Sequence, residues 1–132
     1  GSEMCIRDSY SDKVVQHFEN PQNSGILENP DGEAIVSNPV CGDTMSVTLR
    51  IKNLTIVNMQ WQTRGCPAAI ATSSYTSEFV RGMSLKEARE VSREVITQGI
   101  GGLPRDKGHC SVLAADALKK AISSYENKQK TL

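Results

Sequence analysis

Residues Thr44 to Lys52 alternate without a break: Met45, Val47, Leu49 and Ile51 project one way, and Thr44, Ser46, Thr48 and Arg50 the other. A period of two fits a pleated strand with one dry face; an amphipathic helix would need apolar residues three and four apart. Lys52-Asn53 makes a tight connection, and Leu54 to Thr63 runs back with Val57, Met59 and Trp61 on the face that helices would cover. A shorter strand, Glu33 to Val36, precedes them and is closed by Asn38-Pro39. The result is an antiparallel meander whose greasy face must be buried by something else. The expected class is therefore α+β, a three-stranded antiparallel sheet packed against helices.

The helices lie on both sides of this meander in sequence. Ser11 caps a short one carrying Val14, Val15 and Phe18 inward, halted by Asn20-Pro21, with His17 read as a partly exposed surface histidine. Asn23-Ser24-Gly25 and Asn29-Pro30-Asp31-Gly32 are turn clusters that deliver the chain to the first strand. After the sheet, Pro67 to about Arg81 is rich in small residues, so other backbone can approach it closely, and Gly82 marks its end. Ser84-Leu85-Lys86-Glu87 has the capping-box pattern and opens a helix through about Arg93. Gln98 to Pro104 is too glycine-rich for regular structure. A last helix from about Ser111 to Tyr125 puts Leu113, Ala117, Ala121, Ile122 and Tyr125 on one stripe, with Lys119, Lys120 and Lys128 towards its negative end. Residues 10–127 make one domain. Residues 1–9 read as a disordered or expression-derived leader in which Cys5 has nothing to hold or activate it, and 128–132 as a flexible, frayed tail.

Lys plus Arg equals Asp plus Glu at 15 each, so no basic field exists to attract nucleic acid or an anionic membrane, and neither partner is expected. The longest apolar runs fall far short of a membrane span or a signal-peptide core. The default compartment is a reducing one, the cytoplasm or an organelle matrix. There, a few unevenly spaced cysteines suggest metal or redox chemistry rather than a disulfide framework.

Three thiols stand at element boundaries: Cys41 in Cys41-Gly42-Asp43, Cys66 in Gly65-Cys66-Pro67, and Cys110 after His109. A thiol at a helix mouth sits beside unpaired N–H groups, which favours thiolate. Pro67 suits the first helical position, where its missing N–H has no partner to lose. Cys41 and Asp43 share a face if the backbone there is extended, whereas His109 and Cys110 can share an ion only where the chain turns. Soft thiolates with an imidazole suit zinc or an iron–sulfur cluster, and a carboxylate adds a harder, more weakly held donor. Inert buried thiols and a structural zinc are the bland alternatives, although structural sites favour close C-x-x-C pairs, which do not occur here. A cysteine nucleophile with a histidine base lacks an evident oxyanion donor.

The chain resembles the U-type iron–sulfur cluster assembly scaffolds, IscU and the N-terminal domain of NifU. The likeness runs through Tyr10-Ser11-Asp12-Lys13-Val14, Glu19-Asn20-Pro21-Gln22-Asn23, Asn38-Pro39-Val40-Cys41-Gly42-Asp43, Gly65-Cys66-Pro67-Ala68-Ala69-Ile70-Ala71-Thr72-Ser73-Ser74 and Leu103-Pro104-Arg105-Asp106-Lys107-Gly108-His109-Cys110-Ser111. The resemblance implies an α/β sandwich and a non-catalytic scaffold that builds a [2Fe–2S] cluster and passes it to apo-proteins. It implies Cys41, Cys66 and Cys110 as cluster ligands with Asp43 or His109 as the fourth. Cys110 would accept sulfane sulfur first, assisted by Lys107, and zinc would bind the same site when no cluster is present. The implied partners are a cysteine desulfurase, a frataxin-like iron donor, a ferredoxin electron donor and apo iron–sulfur recipients. Arg105-Asp106 replace the proline and aliphatic residue often read by an Hsp70-type chaperone, which leaves that partner open. The zinc-linked, SufU-like branch carries an insertion between its last two cysteines and lacks the histidine. His109 and the short interval from Cys66 to Cys110 favour the scaffold branch, with a zinc-binding sulfur-transfer protein as the alternative.

Overall fold

The computed structural model describes residues 11–38, 42–103 and 108–131, the side chains of 129–131 excepted. Cys5, Cys41 and Lys107 therefore lie outside the described residues. The elements run α1 (Asp12–Glu19), β1 (Gly32–Ser37), β2 (Thr44–Lys52), β3 (Thr55–Arg64), α2 (Pro67–Phe79), α3 (Leu85–Arg89), α4 (Arg93–Gly99) and α5 (Gly108–Thr131). The strands form one sheet in the order β1-β2-β3, both pairs antiparallel.

The alternation in β2 does what it predicts: Met45, Val47, Leu49 and Ile51 are all buried beneath the helices. In β3 the inward set is Ile56, Met59 and Trp61, while Val57 is exposed. The expectation for Val57 fails because of a bulge. Arg50 pairs with Asn58 but Ile51 pairs with Ile56, so Val57 is skipped and the faces exchange on either side of it. Leu54, expected to open the strand, is instead a turn residue. Asn53 and Leu54 have φ of 53° and 59°, the doubly left-handed turn whose twist matches a hairpin.

Helix α5 lies along β1 and β2 and α2 along β3, both on the greasy face. At Gly32 the approach is so close that a Cβ would collide with the Ala121 carbonyl oxygen of α5. The small residues of α2 make it the central helix, with Ala68, Ala69, Ala71, Thr72, Ser73, Ser74, Thr76 and Ser77 all buried. Its hydroxyls turn back onto the helix; Ser73 and Thr76, for example, each donate at 2.7 Å to the carbonyl four residues earlier. The segment after α1 pairs with the free edge of β3 at Trp61 and then crosses the other face of the sheet at Thr48. The Gly25 N–H donates to the Trp61 carbonyl at 2.8 Å and the Leu27 N–H to Thr48 Oγ1 at 3.1 Å.

Three helical expectations need correction. The capping-box helix, α3, stops at Arg89 and does not run on to Arg93. The second half holds an additional short helix, α4, capped by Ser92, whose hydroxyl accepts from the Val95 N–H. It escapes a periodicity search because it is barely two turns long and Ile96 is its one buried residue. The last helix begins at Gly108 rather than Ser111 and continues past Tyr125 to Thr131, so His109 and Cys110 occupy its first turn. Among the described residues, no helix is long and apolar enough to cross a membrane.

Helix α1 packs on α2 through His17, which is more enclosed than expected, its side chain 15% exposed. Nδ1 lies 2.7 Å from Ser74 Oγ and the ring meets Tyr75 edge-on. Burial holds the imidazole below its ordinary value of 6.5; Glu78 opposes that shift and Lys13 adds to it. The unfolded chain then binds a proton more readily than the folded one. The contribution of His17 is complete above about pH 6.5 and is lost as pH falls from there through the folded value. Urea midpoints should fall between pH 7.5 and 5.5, and His17→Gln should flatten that slope.

Candidate metal centre

The site forms where three elements begin, β2, α2 and α5, at one end of the sheet. Cys66 is the residue before α2; its backbone is extended, its carbonyl accepts the Ala69 and Ile70 N–H groups, and its side chain makes no cap hydrogen bond. Pro67 follows as the first helical residue. His109 and Cys110 lie in the first turn of α5, roughly 100° apart around the axis, and the curvature of the helix turns both donors towards the same point. Asp43 directly precedes β2. It continues the parity of the buried stripe that begins at Met45, so its carboxylate points into the helix layer rather than to solvent.

Cys66 Sγ stands 3.6 Å from Cys110 Sγ and 3.9 Å from Asp43 Oδ2. His109 Nε2 is 3.5 Å from Cys110 Sγ and 3.5 Å from Asp43 Oδ2. Of the cysteines, Cys110 is 1% exposed and Cys66 is half-buried. The Asp43 side chain is 10% exposed and that of His109 26%. Neither α2 nor α5 has an acidic residue in its first turn, so the positive ends of both helix dipoles face the thiols without a competing carboxylate of their own.

These separations permit a direct test of fit. Bonds of about 2.0–2.3 Å to a tetrahedral ion place the ligand atoms roughly 3.3–3.8 Å from one another. The four donors here lie within 4.8 Å of one another, with four of the separations at 3.5–3.9 Å. Two soft sulfurs, an imidazole and a carboxylate at this spacing suit zinc or ferrous iron. The structure thus brings Asp43, Cys66, His109 and Cys110 together. It places His17 against α2, away from this group. Cys41 falls outside the described residues, but its neighbour Gly42 donates to the Asn38 carbonyl at 2.8 Å. Sequence reasoning gave Gly65 no role beyond preceding a cysteine; its contact with Asp43 across the sheet is visible only in the register.

The sequence matches the family model of the NifU-like N terminal domain over residues 9–132. It is 49% identical over 119 residues to the iron-sulfur cluster assembly scaffold protein IscU 1 of Archaeoglobus fulgidus, an alignment spanning 90% of this chain and 78% of that one. It is 41% identical over 125 residues to the IscU scaffold protein of Escherichia coli K12, spanning 92% of this chain and 97% of that one. Among solved structures, the N-terminal NifU-like protein of Brucella abortus superposes with a TM-score of 0.75 over 93% of this chain and 98% of that one, at 22% identity, and so shares the fold. This chain belongs to the NifU-like N-terminal domain family.

Proposed function

We propose that the protein is an iron–sulfur cluster assembly scaffold that takes sulfur from a cysteine desulfurase, combines it with iron into a [2Fe–2S] cluster and gives the cluster to apo-proteins. The observation that carries this reading is the convergence of Asp43, Cys66, His109 and Cys110 at two helix starts. Relatives named as IscU scaffold proteins support it. Cys41 supplies the third thiolate, and Cys110 accepts sulfur with Lys107 steadying the thiolate. In that step the Cys110 thiolate attacks the sulfane sulfur of the desulfurase persulfide; a new S–S bond forms as the old one breaks, and the desulfurase cysteine leaves as thiolate. Because Cys110 is 1% exposed, the start of α5 must open for the transfer. Each sulfane sulfur then needs two electrons to become sulfide, supplied by a ferredoxin, with iron from a frataxin-like donor.

A mixed donor set suits a carrier. A carboxylate or imidazole leaves a cluster more readily than a thiolate, opening a place for a recipient's sulfur. Asp43→Ala should therefore hold its cluster longer and transfer it more slowly, by on the order of tenfold, the scale on which single changes around a metal act. Equal half-lives and transfer rates in variant and parent would remove the weak-donor idea.

The reading as a whole is tested by anaerobic incubation with ferrous iron, cysteine and a desulfurase. Charge-transfer bands in the visible, followed by transfer to apo-ferredoxin, are the expected result. The second reading, a zinc-binding protein that accepts persulfide without building a cluster, is favoured by donor spacing that suits a single tetrahedral ion. A colourless protein that retains zinc would establish it instead.

A further inference from the structure

Gly65 lies across the sheet from Asp43. The last cross-strand pair is Thr44 with Arg64, and the same register carried one step further sets Asp43 opposite Gly65. A Cβ at Gly65 would stand 2.7 Å from Asp43 Cγ and 2.9 Å from each carboxylate oxygen. Those distances are far inside van der Waals contact, and the group in the way is the metal-facing carboxylate itself. Gly65 is not among the glycines with positive φ, so its backbone is open to any residue. What the site uses at this position is the missing side chain.

We infer that Gly65 is the positioning residue for Asp43: the bare Cα lets the carboxylate fold over the end of β3 and reach the thiols and the imidazole. The inference rests on the metal-site half of the functional reading. A methyl at position 65 swings the carboxylate off the group while leaving Cys66, His109 and Cys110 in place. A lone divalent ion then loses one of its four donors and binds less tightly. A cluster keeps its thiolates and the imidazole and loses only the group that leaves first.

The test is a set of Co2+ titrations followed by ligand-field absorption on the parent, Gly65→Ala, Asp43→Ala and the double variant. Gly65→Ala, a change beyond the ligands themselves, should reproduce the spectrum of Asp43→Ala and weaken Co2+ binding by about 10–100-fold. In the Asp43→Ala background the second change should add nothing, because the clash has been removed. Thermal unfolding gives an independent reading should Gly65→Ala fold poorly: the double variant should recover the stability of Asp43→Ala alone. A Gly65→Ala protein with the parental Co2+ spectrum, or a double variant with the losses of both single ones, would overturn the assignment. A parent that binds Co2+ but forms no cluster with desulfurase, iron and cysteine would defeat the assembly reading, and the coupling between Gly65 and Asp43 would still be read from the same titrations.

Discussion

Cys110→Ser should abolish cluster formation and weaken the binding of a single divalent ion by at least about 100-fold, more than changes beyond the ligands themselves produce. Cys110 is 1% exposed and stands within 3.6 Å of Cys66 Sγ and 3.5 Å of His109 Nε2, at the centre of the donor group. Serine keeps nearly the same shape and can hydrogen-bond to the same neighbours, so the fold should survive. What it cannot supply is a soft sulfur donor, because a metal ion binds a thiolate by displacing its proton and a hydroxyl gives up its proton far less readily. Competition with a chromogenic chelator measures the affinity, and far-UV circular dichroism verifies the fold. Zinc held at parental strength by the serine variant would remove Cys110 from the donor set.

The second large effect concerns the helix that presents Cys110. Leu118 is fully buried in α5, within the core against the sheet. Leu118→Ala deletes packed volume that a helix pinned against two strands cannot close over, and should cost about 2–5 kcal/mol. That is a large part of the roughly 5–15 kcal/mol available to a domain. Because α5 also carries His109 and Cys110, part of the loss should be recoverable through the metal. Zinc at about 100 times its dissociation constant adds roughly 2.7 kcal/mol to the folded state. The urea midpoint of Leu118→Ala should therefore drop sharply and rise again with zinc, whereas in the combination with Cys110→Ser zinc should restore little. A zinc response that persists in the combination would show that the ion binds elsewhere.

The legible parts of this chain were those in which local chemistry and tertiary packing agree. In β2 the alternation is complete, so its face and its ends could be read directly. Ser11 and Ser84 announce helix starts because their hydroxyls satisfy N–H groups a few residues away, as the structure shows. Val57 escapes the pattern because a bulge is a relation between two strands, and a period counted along one strand cannot register a skipped residue. Leu54 escapes it because a leucine rarely takes positive φ, and here the hairpin imposes it. The start of α5 is hidden because Gly108 reads as a breaker, while the described helix begins on it. Asp43, Cys66, His109 and Cys110 stood out because each sits at a junction. The part of Gly65 could not stand out, since it consists of an absent atom facing a residue on another strand.

Asp43 and Cys66 are 23 residues apart, and Cys66 and Cys110 are 44 apart. An ion gripped by all of them would be a cross-link over about half of the chain, and closing such wide loops restricts the unfolded ensemble more than a clip between near neighbours. An ion held there would then stabilise the domain as a whole and not the site alone, so stripping the metal should lower the global unfolding midpoint.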